Sequence, residues 1–157
     1  MSIDHKPLKL LAKDLEDLQI FAAHLQDSLL PITSMKYSEK DKSFCMVANR
    51  FCWEHPAVEH VGEDLYHRVH SKIHFDHVKN VQQNGIDQHG DIRNLNLLTI
   101  EAKNPEDKKA GHAILHFSEG GAIKIDYDKL HCKLADMHEP WPTRNKPKHI
   151  HEHLEQL

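Results

Sequence analysis

The segment YHRVHSKIHFDH at residues 66–77 constrains the fold most, because its backbone decides whether four histidines can gather around one metal ion. The histidines are spaced by three, four and three residues, and they are His67, His70, His74 and His77. Residues three and four apart are neighbours on a helix, so a helical backbone would give a zinc site. A strand would send successive side chains to opposite faces and divide the group.

The apolar residues of this segment favour the strand. Val69, Ile73 and Phe75 fall on one face of a strand and polar side chains fill the other, which is the pattern of a half-buried strand. In a helix, Phe75 would have no apolar partner three or four residues earlier, and no capping residue precedes Tyr66. The β-branched and aromatic content also favours a strand.

A strand separates the four histidines. His67 and His77 would then point inward. His70 and His74 would point outward about 13 Å apart, which is too far for both to bind one ion. We therefore expect no four-histidine metal site in this segment.

One helix is predicted early in the chain, at residues 14–27, where the sequence reads DLEDLQIFAAHLQD. Asp14 is a suitable N-cap, and apolar residues follow at intervals of three and four. The apolar run at 8–12 predicts a strand before this helix. Pro31 is expected to stop the helix, because the residue before a proline is pushed out of the α region.

Most of the remaining chain predicts strands. They are expected at 32–37, 44–53, 66–77 and 94–102, and in the two arms of a hairpin at 112–127. The segment at 44–53 is apolar or β-favouring on both faces, which predicts a central position in the sheet. Gly120 and Gly121 would supply the turn of the hairpin.

A second helix is predicted near the end of the chain, at residues 128–137. Asp128 would cap it. Leu130, Leu134 and Met137 would form its single apolar stripe.

These elements predict an α+β fold with a mainly antiparallel sheet, one early helix and one C-terminal helix. Every visible connection between strands is too short for a helical crossover. A partly closed barrel similar to a pleckstrin-homology domain and an open sheet with both helices on one face are both compatible with the pattern. We expect one domain over residues 1–137 and a tail rich in proline and histidine over residues 138–157.

The composition limits the class of partner. The chain has 20 lysines and arginines against 24 aspartates and glutamates, and its sequence contains no basic stripe of the kind that binds a phosphate backbone. We therefore expect no nucleic-acid partner. No apolar stretch approaches the ~18 residues of a membrane span. The three cysteines follow no secretion signal, so we expect reduced thiols in a cytoplasmic protein.

Several short segments resemble a known family. LKLLAKDLEDL, NRFCWE, FDHV, LLTI, GGAIKID and TRNKPKH are similar to a family of small alphaproteobacterial proteins known only as a domain of unknown function, number 2948. The similarity runs from about Leu8 to His149, and NRFCWE at 49–54 is its most specific part. It implies a cytosolic single-domain protein and no particular activity. The chain departs from the family pattern by placing histidine at many positions.

The densest group of interaction-capable side chains also lies at 49–54. An aromatic platform beside a guanidinium would suit an unidentified protein or small ligand. The predicted partner-binding residues are Asp27, Arg50, Trp53, Glu54 and Trp141. The structural alternative is that Arg50 pairs with Asp27 or Glu54 and closes the helix against the sheet.

The tail contains a candidate metal site at His149, His151 and His153. These side chains would align on one side of an extended chain and could chelate zinc, nickel or copper. Flexible histidine tails also bind zinc or nickel adventitiously, and no cofactor is expected.

The sequence contains no nucleophile elbow, P-loop, dinucleotide-binding glycine motif or CxxC pair. We therefore expect no catalytic residues. The pattern favours a non-enzymatic cytosolic binding module. The alternative is a transition-metal-binding protein or metalloenzyme that uses its histidines.

Overall fold

The computed structural model describes residues 4–86, 94–105 and 108–147. Within these ranges the chain forms eleven strands, one α-helix and short 3-10 turns. Their bounds are β1 Lys9–Ala12, α1 Leu15–Leu25, β2 Leu29–Pro31, β3 Lys36–Ser38, β4 Ser43–Phe51, β5 Val58–His60, β6 Glu63–Phe75, β7 Val78–Asn84, β8 Asn94–Lys103, β9 Gly111–Phe117, β10 Ala122–Tyr127 and β11 Cys132–Thr143. No helix in these ranges has the length and apolar content that a membrane span requires.

The strands form one antiparallel sheet, as predicted. Its order is β1-β11-β6-β4-β2-β8-β9-β10-β7, with β3 added to β4 and β5 added to β6. Among the described strands, β1 and β7 are the two ends of this order and do not pair with each other, so the sheet is not closed. A barrel similar to a pleckstrin-homology domain is therefore not confirmed.

The early helix is confirmed with different bounds. The side chain of Asp14 caps α1 by accepting a hydrogen bond from the backbone N of Asp17 over 2.8 Å. The helix ends at Leu25, earlier than predicted, because the chain turns at Asp27 with a φ of 61°. Pro31 ends β2 instead. The buried helix residues, which face the core, are Leu18, Phe21 and Leu25.

Strand β6 confirms the alternation predicted for the histidine-rich segment. Its buried side chains are His67, Val69, Ser71, Ile73 and Phe75, and they define the inner face of the sheet. His70 is exposed on the outer face, as predicted. The inward direction predicted for His77 is wrong, because this residue lies in the turn after β6 with a φ of 55° and is exposed. Within the described ranges, no group of three or more histidine, cysteine or acidic side chains could hold a metal ion.

The C-terminal helix predicted at 128–137 is wrong, because residues Cys132–Thr143 form strand β11. Leu130, Leu134 and Met137 are four and three residues apart, which suits a helix better than a strand, because on a strand Met137 falls on the face opposite Leu134. Pairing decides between them: β11 has β1 on one side and β6 on the other, and most of its backbone groups bond across these ladders. The strand passes through residues 137 and 138, where the sequence places the end of the domain. The division into domain and tail itself stays a prediction.

The other predicted strands agree with the structure in most cases. The segment at 44–53 becomes β4, which is central between β6 and β2 as predicted. The segment at 94–102 becomes β8, and the hairpin at 112–127 becomes β9 and β10. The strand predicted at 32–37 is a 3-10 turn followed by the short β3, and β5 and β7 lie outside the predicted strands. The three cysteines are free thiols.

Candidate functional site

Arg50 lies near the end of β4, and its side chain is fully buried on the inner face of the sheet. Its guanidinium donates from Nη1 to Glu54 Oε1 over 2.9 Å and from Nη2 to Oε2 over 2.8 Å. A turn after β4, in which the N–H of His55 donates to the carbonyl of Cys52, brings Glu54 back to the strand end. The pairing of Arg50 with Glu54 that the structural alternative predicted is confirmed.

Asp136 is a second carboxylate bound to Arg50. Arg50 Nε and Nη2 donate to Oδ1 and Oδ2 of Asp136 over 3.0 and 2.9 Å. Ser71 Oγ and the backbone N of Leu8 donate to the same carboxylate over 2.6 and 2.9 Å. Sequence reasoning missed this contact because it placed Asp136 on a helix. The two-residue alternation with Leu134 along β11 is the signal that would have placed it inside.

In this cluster, hydrogen bonds affect the pKa values of the charged groups more than burial does. Burial opposes the charge of Arg50, but the hydrogen bonds to Glu54 and Asp136 raise its pKa overall. Burial also opposes the charges of Asp136 and Glu54, but the hydrogen bonds from Arg50 lower both pKa values. With the carbonyl of Phe51 at 3.5 Å from Nη1, every N–H of the guanidinium has an internal acceptor. Arg50 therefore has no donor left for an external partner.

Three histidines extend this cluster. His5 Nε2 lies 3.0 Å from Asp136 Oδ2, and His5 Nδ1 lies 2.8 Å from His55 Nε2. His67 is buried nearby, and neither of its ring nitrogens has a hydrogen-bond partner in the part of the chain that the structure describes. Burial lowers the pKa of His67, and the neighbouring His55 and His5 lower it further.

The two predicted tryptophans lie apart from this cluster. Trp53 is half-buried, and its Nε1 donates to the carbonyl of Gln26 over 3.1 Å. Trp141 packs against His70, with 4.7 Å between the ring centroids, on the face of the sheet opposite Arg50. The structure therefore does not assemble the predicted residues into one surface patch.

Asp27 is buried at the turn after α1, where its backbone N donates to the carbonyl of Leu97 over 2.9 Å. Burial lowers the pKa of Arg68, and the negative charge of Asp27 opposes that shift. The predicted metal ligands of the tail, His149, His151 and His153, lie outside the described residues. Partner binding at Asp27, Arg50, Trp53, Glu54 and Trp141 stays a prediction.

A pocket of about 560 Å³ at one end of the sheet gathers positive groups that the sequence does not connect. We call it the lysine pocket, and it is lined by Lys13, Lys108, Lys109, Lys129, His77, His131, Asn104 and Leu130. Four connections supply these residues: β1 to α1, β6 to β7, β8 to β9 and β10 to β11. They meet at one end because the strands that they join are antiparallel. None of the described lining residues is acidic.

Backbone hydrogen bonds hold two of these connections together. The N–H of Asp76 donates to the carbonyl of His131, and the N–H of Asp128 donates to the carbonyl of His77, each over 2.9 Å. The turn after β6 and the loop before β11 therefore form one unit at the pocket.

Asn104 is fixed from two sides. The hydroxyl of Tyr127 donates to Asn104 Oδ1 over 2.7 Å. Gly111 lies so close that a Cβ added there would collide with the carbonyl of Lys103 and with Asn104 Oδ1. A glycine is needed at this position because the backbone approaches its neighbours closely.

His131 is oriented by a carboxylate. Its Nδ1 lies 2.7 Å from Asp76 Oδ2, and His74 Nε2 lies 2.9 Å from Asp76 Oδ1. Burial opposes the charge of Asp76, but the hydrogen bonds from His131 and His74 lower its pKa overall. Asp76 is therefore an ionised acceptor at neutral pH, and His131 Nδ1 carries the proton that it accepts.

Sequence reasoning missed the lysine pocket because its lysines are distributed over three connections. Lys108 and Lys109 are adjacent, but Lys13 lies far before them and Lys129 follows after the hairpin of β9 and β10. No spacing in the sequence joins these positions.

The fold and the pocket together define a protein with a single antiparallel sheet and a cationic pocket where its connections meet. A family model described as "Protein of unknown function (DUF2948)" matches residues 8–149, and the chain belongs to this family. The resemblance seen in the sequence is therefore confirmed for the family. No curated protein and no solved structure matches the chain significantly.

Proposed function

We propose that this protein is a non-enzymatic binding module that holds a small anionic ligand in the lysine pocket. The observation that carries this proposal is the convergence of four lysines and two histidines on one pocket in a chain whose formal net charge is -4. A volume of about 560 Å³ is in the range of small-molecule sites.

The charges around the pocket support an anionic ligand. In the part of the chain that the structure describes, no carboxylate forms an ion pair with the side chains of Lys13, Lys109 or Lys129. The four lysines are exposed, so water and salt screen part of their mutual repulsion, and a bound anion offsets the rest. Among the described lysines outside the pocket, Lys79, Lys103 and Lys124 have an acidic side chain within 3.8 Å.

The lining suits an anionic ligand. Lysine ammonium groups and imidazoles are donors that suit anions, and Leu130 adds an apolar contact. The connections that carry these groups are held on a rigid sheet, which is the usual arrangement of a binding site on loops.

The proposal is tested by titrating the protein with sulfate, citrate and pyrophosphate in a calorimeter at low ionic strength. We expect at least one of these anions to bind at a single site, more weakly as sodium chloride is added. Lys129→Glu and Lys13→Glu should each weaken that binding about tenfold, because each converts an attraction into a repulsion.

Lys146→Glu is the matched control. It makes the same change of charge at an exposed lysine beyond the other end of β11. It should leave the dissociation constant within about twofold of the parent value, since exposed charges farther apart than the Debye length are screened. Binding of none of the three anions, or equal weakening by the pocket and control variants, would show that the pocket is not an anion site.

A further inference from the structure

The tautomer of His131 follows from its partner. An ionised carboxylate only accepts hydrogen bonds, so the Asp76 oxygen that lies 2.7 Å from His131 Nδ1 fixes the proton on that nitrogen. Nε2 is then the ring atom that gains or loses a proton. His131 lines the lysine pocket, and no described residue forms a hydrogen bond with its Nε2.

The two forms of this ring act oppositely on an anion. The imidazolium form of His131 offers an N–H donor and a positive charge at Nε2. The neutral form offers a lone pair at the same atom, because Asp76 retains the proton on Nδ1. An anion in the pocket is therefore attracted by the first form and repelled by the second.

The neighbouring groups of the pocket are also donors. Asn104 Oδ1 accepts from Tyr127, and no hydrogen bond among the described residues uses the Asn104 amide N–H groups. The lysine ammonium groups have only donors. A ligand that suits this lining presents acceptors in several directions and carries no proton of its own.

We infer that the ligand of the lysine pocket carries a phosphate monoester, and that His131 binds its phosphoryl group through Nε2 as an imidazolium. This inference rests on the proposed function. A phosphate monoester presents three strong acceptor oxygens arranged around phosphorus, which suits donors that arrive from four connections. A carboxylate presents two oxygens in one plane and leaves some of these donors without an acceptor.

Other charged and titratable groups surround His131. They are His74, Asp76 and His77 from β6 and its turn, Asp128 and Lys129 from the loop before β11, Lys13 from the turn before α1, and Lys108 and Lys109 from the loop before β9. Imidazoles and phosphate monoesters are the kinds of group that ordinarily titrate between pH 5 and 8.5, so the experiment covers that range.

The inference predicts a bell-shaped dependence of affinity on pH. A neutral imidazole offers no donor at this position, so an anion that needs the Nε2 N–H should bind more weakly at high pH. As the pH falls below about 6, the phosphate monoester takes up its second proton and binding weakens again. Sulfate stays doubly charged throughout this range. Its affinity should therefore fall only on the alkaline side of the pH profile, which we call the alkaline limb.

The experiment compares phenyl phosphate with benzoate on the unmodified protein from pH 5 to 8.5. We expect phenyl phosphate to bind about tenfold more tightly than benzoate at pH 6.5, and about tenfold more weakly at pH 8.5 than at pH 6.5. The inference would be overturned if phenyl phosphate bound no more tightly than benzoate. If Lys129→Glu still weakened the binding of both ligands in that case, the pocket would be an anion site without a preference for phosphate.

Two variants isolate the ring of His131. His131→Gln places an amide N–H near the position of Nε2 and cannot titrate, so it should bind phenyl phosphate with no alkaline limb. His131→Asn places an amide near Nδ1, keeps the contact with Asp76 and lacks the pocket donor, so it should bind about tenfold more weakly at pH 6.5. His60→Gln, at an exposed histidine of β5 that does not line the pocket, is the control and should keep the weakening at high pH. An alkaline limb that persists in His131→Gln would assign the titration to another group and overturn the role of His131.

Discussion

Arg50 Nε and Nη2 donate to the two carboxylate oxygens of Asp136 over 3.0 and 2.9 Å, although the residues are 86 positions apart in the sequence. This bidentate contact joins β4 to β11 across β6, which lies between them in the sheet. Both side chains have no exposed surface. A buried ion pair of this kind is costly to disrupt, because the remaining partner keeps its charge without compensation.

Asp136→Asn is predicted to lower the free energy of unfolding by about 1.5 to 3 kcal/mol, since the buried guanidinium loses one charged partner and keeps Glu54. Urea denaturation at pH 7 measures this change. The control is Glu54→Gln, which removes the other carboxylate of Arg50. It should cost less, because a quarter of the Glu54 side chain is exposed and water replaces part of the lost contact. Equal losses from the two variants would contradict the central role of Asp136.

Acid is predicted to destabilise the protein through the same carboxylates. The pKa values of Asp136 and Glu54 are lowered in the folded state from ordinary values of 3.8 and 4.5. The unfolded chain therefore takes up protons first, and the stability that these groups contribute is complete above about pH 5 and lost as the pH falls through their folded pKa values. Urea denaturation between pH 7 and 3.5 measures the decline. Asp136→Asn should show a shallower decline, and an equal slope in both proteins would mean that other groups control it.

The buried His67 is predicted to make the folded state less stable as the pH falls below about 7. Its folded pKa is lowered from the ordinary value of 6.5, so the unfolded chain binds its proton more readily and stability falls as the pH drops from about 7 through the folded pKa. His67→Leu should raise the free energy of unfolding by about 1 kcal/mol at pH 7, because it removes buried polar atoms without partners. It should also flatten the dependence between pH 7 and 5. His60→Gln, at an exposed histidine of β5, is the control and should change neither quantity.

The sequence predicted correctly those helices and strands whose structure depends on side chains within the same element. The cap at Asp14, the alternation of β6 and the hairpin of β9 and β10 all follow from side chains within one element. The prediction for strand β11 was wrong because Leu130, Leu134 and Met137 have a helical spacing, and pairing with β1 and β6 overrides it. The helical interpretation also hid Asp136, since it removed this residue from the inner face of the sheet.

The functional residues were harder to predict than the fold. Arg50 and Glu54 are four residues apart, so their pairing was accessible from the sequence. The lysine pocket was not, because it depends on which connections meet at one end of the sheet. That arrangement follows from the strand order, in which β6 and β7 are consecutive in the chain but do not pair with each other in the sheet.

Gly111→Ala is predicted to damage the lysine pocket and the fold together. The new methyl group would collide with the carbonyl of Lys103 and with Asn104 Oδ1, and moving either costs about 1 to 3 kcal/mol in a packed site. The displaced Asn104 side chain would also lose its hydrogen bond from the buried Tyr127. We therefore expect weaker binding of pyrophosphate in calorimetry and a lower midpoint in urea denaturation.

Two variants separate these effects of Gly111→Ala. Asn104→Ala removes the amide without a backbone collision, so it should weaken anion binding as much as Gly111→Ala. Its effect on stability should be smaller, because Asn104 is half-buried and water reaches the site. Tyr127→Phe keeps Asn104 but removes the hydrogen bond from the tyrosine hydroxyl to Asn104 Oδ1. It should lower the free energy of unfolding by about 0.5 to 1.5 kcal/mol. If Gly111→Ala left both binding and stability unchanged, the close approach of Gly111 to Asn104 would not shape the pocket.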